Sequence, residues 1–93
     1  MNKPIQYIKT IFKSKDGERS YNINCLKTEK IISIKRKIKE KANKNISNLF
    51  WGKEKKDDIF RSLEFEEIKY DEKSRAEQIG LKDNSVIYFE YEY

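Results

Sequence analysis

Hydrophobic and polar positions along this chain follow two periods, and the changes between them mark out its elements. Over Thr28–Ala42, TEKIISIKRKIKEKA, the residues Ile31, Ile34, Ile38 and Ala42 recur at steps of three and four, which places them on one stripe of an α-helix. Lys35, Arg36, Lys37, Lys39, Glu40 and Lys41 take the remaining surface, and Ile32 falls off the stripe and is expected to be partly exposed. Thr28 is expected to cap this helix, its hydroxyl accepting from a free first-turn amide, with Glu29 near the positive end of the helix dipole. A stripe this narrow needs a sheet to lie on.

Segments with a period of two flank the helix on both sides. In Pro4–Lys13, the frame that buries Ile5, Tyr7 and Ile11 would put Lys9 in the middle of an apolar row. Ile8, Thr10 and Phe12 are therefore expected inward, with Lys9 and Ile11 outward. Asp16-Gly17 signals a hairpin, because glycine takes positive φ without a Cβ clash. Ser20–Cys25 then alternates cleanly, pointing Tyr21, Ile23 and Cys25 to one side.

After the helix, Asn43 suits the left-handed conformation that ends helices, and Ile46–Trp51 reads as a third strand ending at Gly52. Leu49 and Trp51 share one of its faces and Phe50 takes the other. Glu54–Ser74 fits neither period throughout and reads as a long charged crossing with two or three apolar anchors among Ile59, Phe60, Leu63, Phe65, Ile68 and Tyr70. Leu63 and Phe65 within it suggest a short strand. Arg75–Gly80 reads as one helical turn closed by Gly80, with Leu81 buried just after it. Ser85–Tyr93 is rich in β-branched and aromatic residues, and its face Ile87, Phe89, Tyr91 and Tyr93 belongs to the core while Val86, Tyr88, Glu90 and Glu92 face away.

The expected architecture is α+β, a mixed sheet of four or five strands wrapped on the helix of about 28–42, with residues 1–93 forming a single domain. Its expected core is Ile23, Cys25, Ile31, Ile34, Ile38, Leu49, Ile87 and Phe89. No apolar run approaches the roughly 18 residues that would span a membrane, and Met1–Gln6 has no hydrophobic signal region. The expectation is a soluble, intracellular monomer, cytoplasmic or nuclear.

Charge and chemistry narrow the function. Residues 1–53 hold 14 Lys and Arg against 4 Asp and Glu, while residues 54–93 hold 7 against 12, so the front half is basic and the back half acidic. Cys25 is the only cysteine and histidine is absent, which leaves no disulfide, no Cys-x-x-Cys metal site and no histidine to activate a thiol. Neither a Ser/His/Asp set nor a Gly-rich phosphate loop can be assembled. An enzyme is not expected, and no cofactor or metal is implied.

The order of elements, together with Ile8-Lys9-Thr10-Ile11, Leu49-Phe50-Trp51-Gly52-Lys53 and Ile79-Gly80-Leu81-Lys82-Asp83-Asn84-Ser85-Val86-Ile87, resembles the ubiquitin-like (β-grasp) family across nearly the whole chain. Two features depart from the family pattern: the crossing Glu54–Ser74 is long, and no Gly-Gly follows the last strand. The resemblance therefore implies a non-conjugated adaptor that binds protein partners and is not itself attached to targets. The alternative within the family is a modifier whose Gly-Gly tail is absent from this chain.

By the same resemblance, the partner-binding face is the side of the sheet away from the helix, with Ile11, Phe50, Tyr88 and Glu90 on it and Lys53 nearby. Phe50 and Tyr88 are the expected anchors, because exposed aromatics carry a disproportionate share of binding energy. Glu90 interrupts the apolar patch where the family usually has an aliphatic residue. A second possibility is nucleic-acid or anionic-surface binding through Lys35, Arg36, Lys37, Lys39, Lys41 and Lys44. Against it, the aromatic residues lie on strands far from that helix face, so basic and aromatic side chains do not interleave.

Overall fold

The computed structural model describes residues 7–56 and 61–92. In chain order the elements are β1 (Tyr7–Ser14), β2 (Ser20–Leu26), α1 (Ile31–Ala42), β3 (Ile46–Lys56), β4 (Arg61–Glu67), a 3-10 turn (Ala76–Ile79) and β5 (Ser85–Tyr91). The strands form one five-stranded sheet in the order β2-β1-β5-β3-β4. β1 and β5 run parallel at its centre, and every other pair is antiparallel. The result is α+β, a mixed sheet with one helix packed against it, and it is compatible with a β-grasp arrangement.

Alternation decides which side of the sheet the helix covers. Ile8, Phe12, Ile23, Cys25, Leu49, Ile87 and Phe89 point to one side and meet Ile31, Ile34 and Ile38 of α1 in a single buried cluster. Thr10 shares that inner row, and its hydroxyl donates to the Ile23 carbonyl at 2.6 Å, so the buried polar group is satisfied. Lys9 is exposed and Ile11 half-buried, as the favoured frame of β1 requires. The β1–β2 turn forms at Gly17 (φ 79°), where the Asp16 carboxylate accepts from the Ser14 hydroxyl and the Glu18 amide.

The helix begins three residues later than expected, and Thr28 does not cap it. Lys30 occupies the cap position and makes no side-chain hydrogen bond there. The first helical amide, that of Ile31, instead donates to the Ser74 carbonyl at 2.9 Å, and the Ala76 and Glu77 amides return bonds to the carbonyls of Glu29 and Lys27. Tertiary backbone pairing thus supplies what a capping hydroxyl would have supplied. Glu29 turns to other work, accepting from the Leu26 amide and the Ser33 hydroxyl and pairing with Lys37 at 2.8 Å. Asn43 closes the helix in the left-handed region at φ 55°.

The other departure lies in the second half. β3 does not stop at Gly52 but continues to Lys56, and part of the expected crossing is a fifth strand, β4, paired with it from Phe50↔Glu67 to Lys56↔Arg61. Ile68 and Leu81 are buried and join the core, with Tyr70 and Ile79 packed beside them. Pro4–Gln6 of the expected first strand, the candidate anchors Ile59 and Phe60, and Tyr93 lie outside the described residues.

Candidate functional site

The helix covers one side of the sheet only, and the opposite side carries an aromatic cluster. Phe50 on β3 and Tyr88 on β5 sit directly opposite each other across the strand pair. Phe65 joins them from β4, edge-on to Tyr88 at 5.0 Å between ring centroids and to Phe50 at 6.2 Å. Such T-shaped contacts align a ring's positive edge with a neighbour's negative face. Ile11 and Val86, paired across β1 and β5 and both half-buried, continue the apolar surface, and Leu63 adds an exposed leucine at its margin.

Gly52 lets the cluster close. It lies within β3 opposite Phe65, and a Cβ at this position would run into the Tyr88 ring and come within 3.3 Å of Leu63 Cδ1. The requirement for glycine here is steric, since the Tyr88 ring occupies the space a side chain would need.

Lys15 completes the outer face. Its backbone is tied beyond the end of β1 by its amide, which donates to the Phe89 carbonyl at 3.0 Å. Its Nζ lies 4.3 Å from the Phe50 ring centroid, 4.9 Å from that of Phe65 and 3.7 Å from a Glu90 carboxylate oxygen. An ammonium is thus held between two ring faces and one anion.

The five residues expected at a partner-binding face fall into three situations. Ile11, Tyr88 and Glu90 stand on the outer face and remain partly exposed. Phe50 is on that face but only 9% exposed, because Phe65 and Lys15 lie against it. Lys53 is not on it: by alternation it shares the helix side of β3 with Leu49 and Trp51, and its Nζ pairs with Glu66 of β4 at 3.4 Å. Phe65, Leu63 and Lys15 belong to the surface and were not expected there. The Leu63/Phe65 alternation carried the signal for the first two, whereas nothing in the sequence ties Lys15 to rings on β3 and β4.

The basic helix surface does not form one free patch. Lys9 directs its carbonyl to the Asn84 amide and its own amide to Asp83, both on the β5 side, so its β2 partner Asn24 turns its carbonyl to the open sheet edge. Asn22, two residues away, does the same. Lys37 Nζ donates to the Asn24 carbonyl at 3.4 Å and Lys41 Nζ to the Asn22 carbonyl at 3.2 Å. Four helical residues between the lysines, about 6.0 Å of rise, match two residues of strand, about 6.8 Å. On the other flank, Lys35 Nζ donates to the Ser47 carbonyl at 2.9 Å, and Lys44 Nζ stands 5.0 Å from the Tyr91 ring centroid. Arg36 and Lys39 remain on the exposed side of α1. Half of the six candidate polyanion contacts therefore bond strand carbonyls.

Cys25 is fully buried, and burial pushes its thiol up from the ordinary value, away from the reactive thiolate. Among the described residues no group of three or more His, Cys, Asp or Glu side chains is placed to hold a metal ion, and no helix is long and apolar enough to cross a membrane. No family model and no curated protein matches the chain.

Proposed function

We propose that this chain is a non-enzymatic protein-interaction module that docks partners through the outer face of its sheet. One observation carries the reading: the side of the sheet that α1 leaves bare holds a contiguous cluster of Ile11, Leu63, Phe65, Val86 and Tyr88, all partly exposed. Apolar surface of this kind on a small domain costs solubility unless something covers it, and burial of aromatic side chains at an interface is a strong source of affinity. The ubiquitin-like reading belongs to this proposal, supported by the succession of hairpin, helix and returning strands and by the side of the sheet on which the cluster lies. An intracellular location, cytoplasmic or nuclear, is part of the same proposal.

The test compares partner capture by the native chain with capture by Leu63→Lys and Tyr88→Ala variants whose folding is verified by backbone NMR spectra. Partners that engage the outer face are lost from both variants and retained by Arg36→Ala on the far side of the helix. Equal capture by all of them would sink the proposal.

A further inference from the structure

The Lys15 ammonium reports on the chemistry of the surface that holds it. Ring faces carry negative electrostatic potential, and Phe50 and Phe65 present two of them within 5 Å of one nitrogen, with Glu90 adding a full negative charge. We infer that this seat is a cation-recognition site, and that a partner docks by placing a lysine ammonium of its own where Lys15 now lies. The inference rests on the outer-face reading and adds the identity of the central contact.

Three features make Lys15 a displaceable occupant. Its side chain is 35% exposed and that of Glu90 44%, so both face solvent and their ion pair is of the weak, hydrated kind. Its backbone is fixed through the Phe89 carbonyl, so the side chain can leave without disturbing the strand. The rings that form the seat are positioned by one another and by strand pairing, so they keep their arrangement when the ammonium departs. With Lys15 gone, the Phe50 ring gains an open side that neighbours Phe65 and Glu90. Apolar surface around the seat then receives the aliphatic stem of an incoming lysine.

The experiment uses the full chain with n-butylammonium as the probe, since it reproduces the end of a lysine side chain, and 1-pentanol as a neutral probe of similar shape. Ring resonances of Phe50 and Phe65 are followed by NMR in the native protein, in Lys15→Ala, and in Lys15→Ala combined with Glu90→Gln. Lys15→Gln, which keeps part of the aliphatic stem and removes the charge, substitutes for Lys15→Ala if the latter does not fold. The expected result is saturable binding of butylammonium to Lys15→Ala about two- to fivefold tighter than to the native chain, the factor set by how firmly Lys15 competes for the seat. Binding should weaken again when Glu90 is neutralised. Absence of saturable butylammonium shifts in Lys15→Ala overturns the inference. An equal response to 1-pentanol also overturns it, while leaving an apolar docking face in place. If the Leu63→Lys and Tyr88→Ala variants retain their partners, the outer-face reading fails separately, whatever the probes show.

Discussion

The ring of Tyr88 lies over Gly52, so that two neighbouring strands meet with one side chain occupying the space of two. A bare Cα inside a strand leaves a gap in the row of side chains above the sheet, and a cross-strand aromatic that fills it restores contact on both strands.

Gly52→Ala should therefore destabilise the fold by about 1–3 kcal/mol, the usual cost of forcing atoms into occupied space. The remedy lies in its neighbour. In a Tyr88→Ala background the added methyl meets no ring, so the penalty should largely vanish, and a double-mutant cycle by chemical denaturation measures the coupling. Additive costs would mean that the ring moves aside freely and that the contact between Tyr88 and Gly52 constrains nothing.

A second expectation concerns the sheet edge. Lys37 and Lys41 place ammonium groups on the outward carbonyls of β2, which blunts an edge that could otherwise pair with another chain. Replacing both with alanine should raise self-association above that of the native protein, read by sedimentation velocity over a concentration series. The paired control, Arg36→Ala with Lys39→Ala, removes as much charge from the exposed side of α1. If both double variants associate equally, net charge governs the effect and the carbonyl contacts do not.

Acid should act through two turn carboxylates. The Ser14 hydroxyl and the Glu18 amide hold Asp16 below the ordinary carboxylate range, and the Lys73 amide and Ser74 hydroxyl do the same for Asp71. A carboxyl whose folded value is depressed contributes stability that is complete above its unfolded value, about 4, and is lost as pH falls through the lower folded value. The thermal midpoint should decline as pH drops below about 4, and the decline should be shallower in an Asp16→Asn, Asp71→Asn variant. An identical acid limb in that variant would assign the loss to other carboxylates.

The core was legible in the sequence because burial there is one-sided. Ile31, Ile34 and Ile38 at helical spacing, and Ile23, Cys25, Ile87 and Phe89 at strand spacing, each have one apolar face, and each lies in the core. Two kinds of feature were less legible. Thr28 has the right chemistry for a cap, but the helix start is held by backbone groups near Ser74 and Ala76, about 45 residues away in sequence, and no local pattern encodes that pairing. β4 was legible only in part, through the alternation of Leu63 and Phe65, because its other side, Ser62, Glu64 and Glu66, is polar throughout, and there Glu64 and Glu66 pair with Lys55 and Lys53 of β3. Charge there resembles a solvated loop. The outer face was legible in Ile11, Phe50, Tyr88 and Glu90, whereas the frame that places Lys53 opposite Glu64 becomes visible only once β3 is known to run through Gly52.

The sharpest test separates the two residues that bound the outer cluster. Phe50 is 9% exposed and lies beneath Phe65 and Lys15, while Leu63 at the margin is 38% exposed. From sequence alone Phe50 looks like a solvated anchor whose removal spares the fold; its burial reverses that expectation. Phe50→Ala should cost about 2–4 kcal/mol, as for other buried side chains whose removal leaves a cavity, because strands on both sides hold the space open. Leu63→Ala should change stability by under about 1 kcal/mol, since solvent already reaches much of the side chain. Docking should rank the other way per unit of stability lost: Leu63→Ala weakens partner binding in a protein of native thermal midpoint, whereas Phe50→Ala weakens it together with the fold. Both readouts come from the same two variants, a denaturation curve and a binding isotherm for each. A Phe50→Ala protein with the native midpoint would show that the outer cluster contributes no packing energy and that Phe65 and Lys15 merely rest on it.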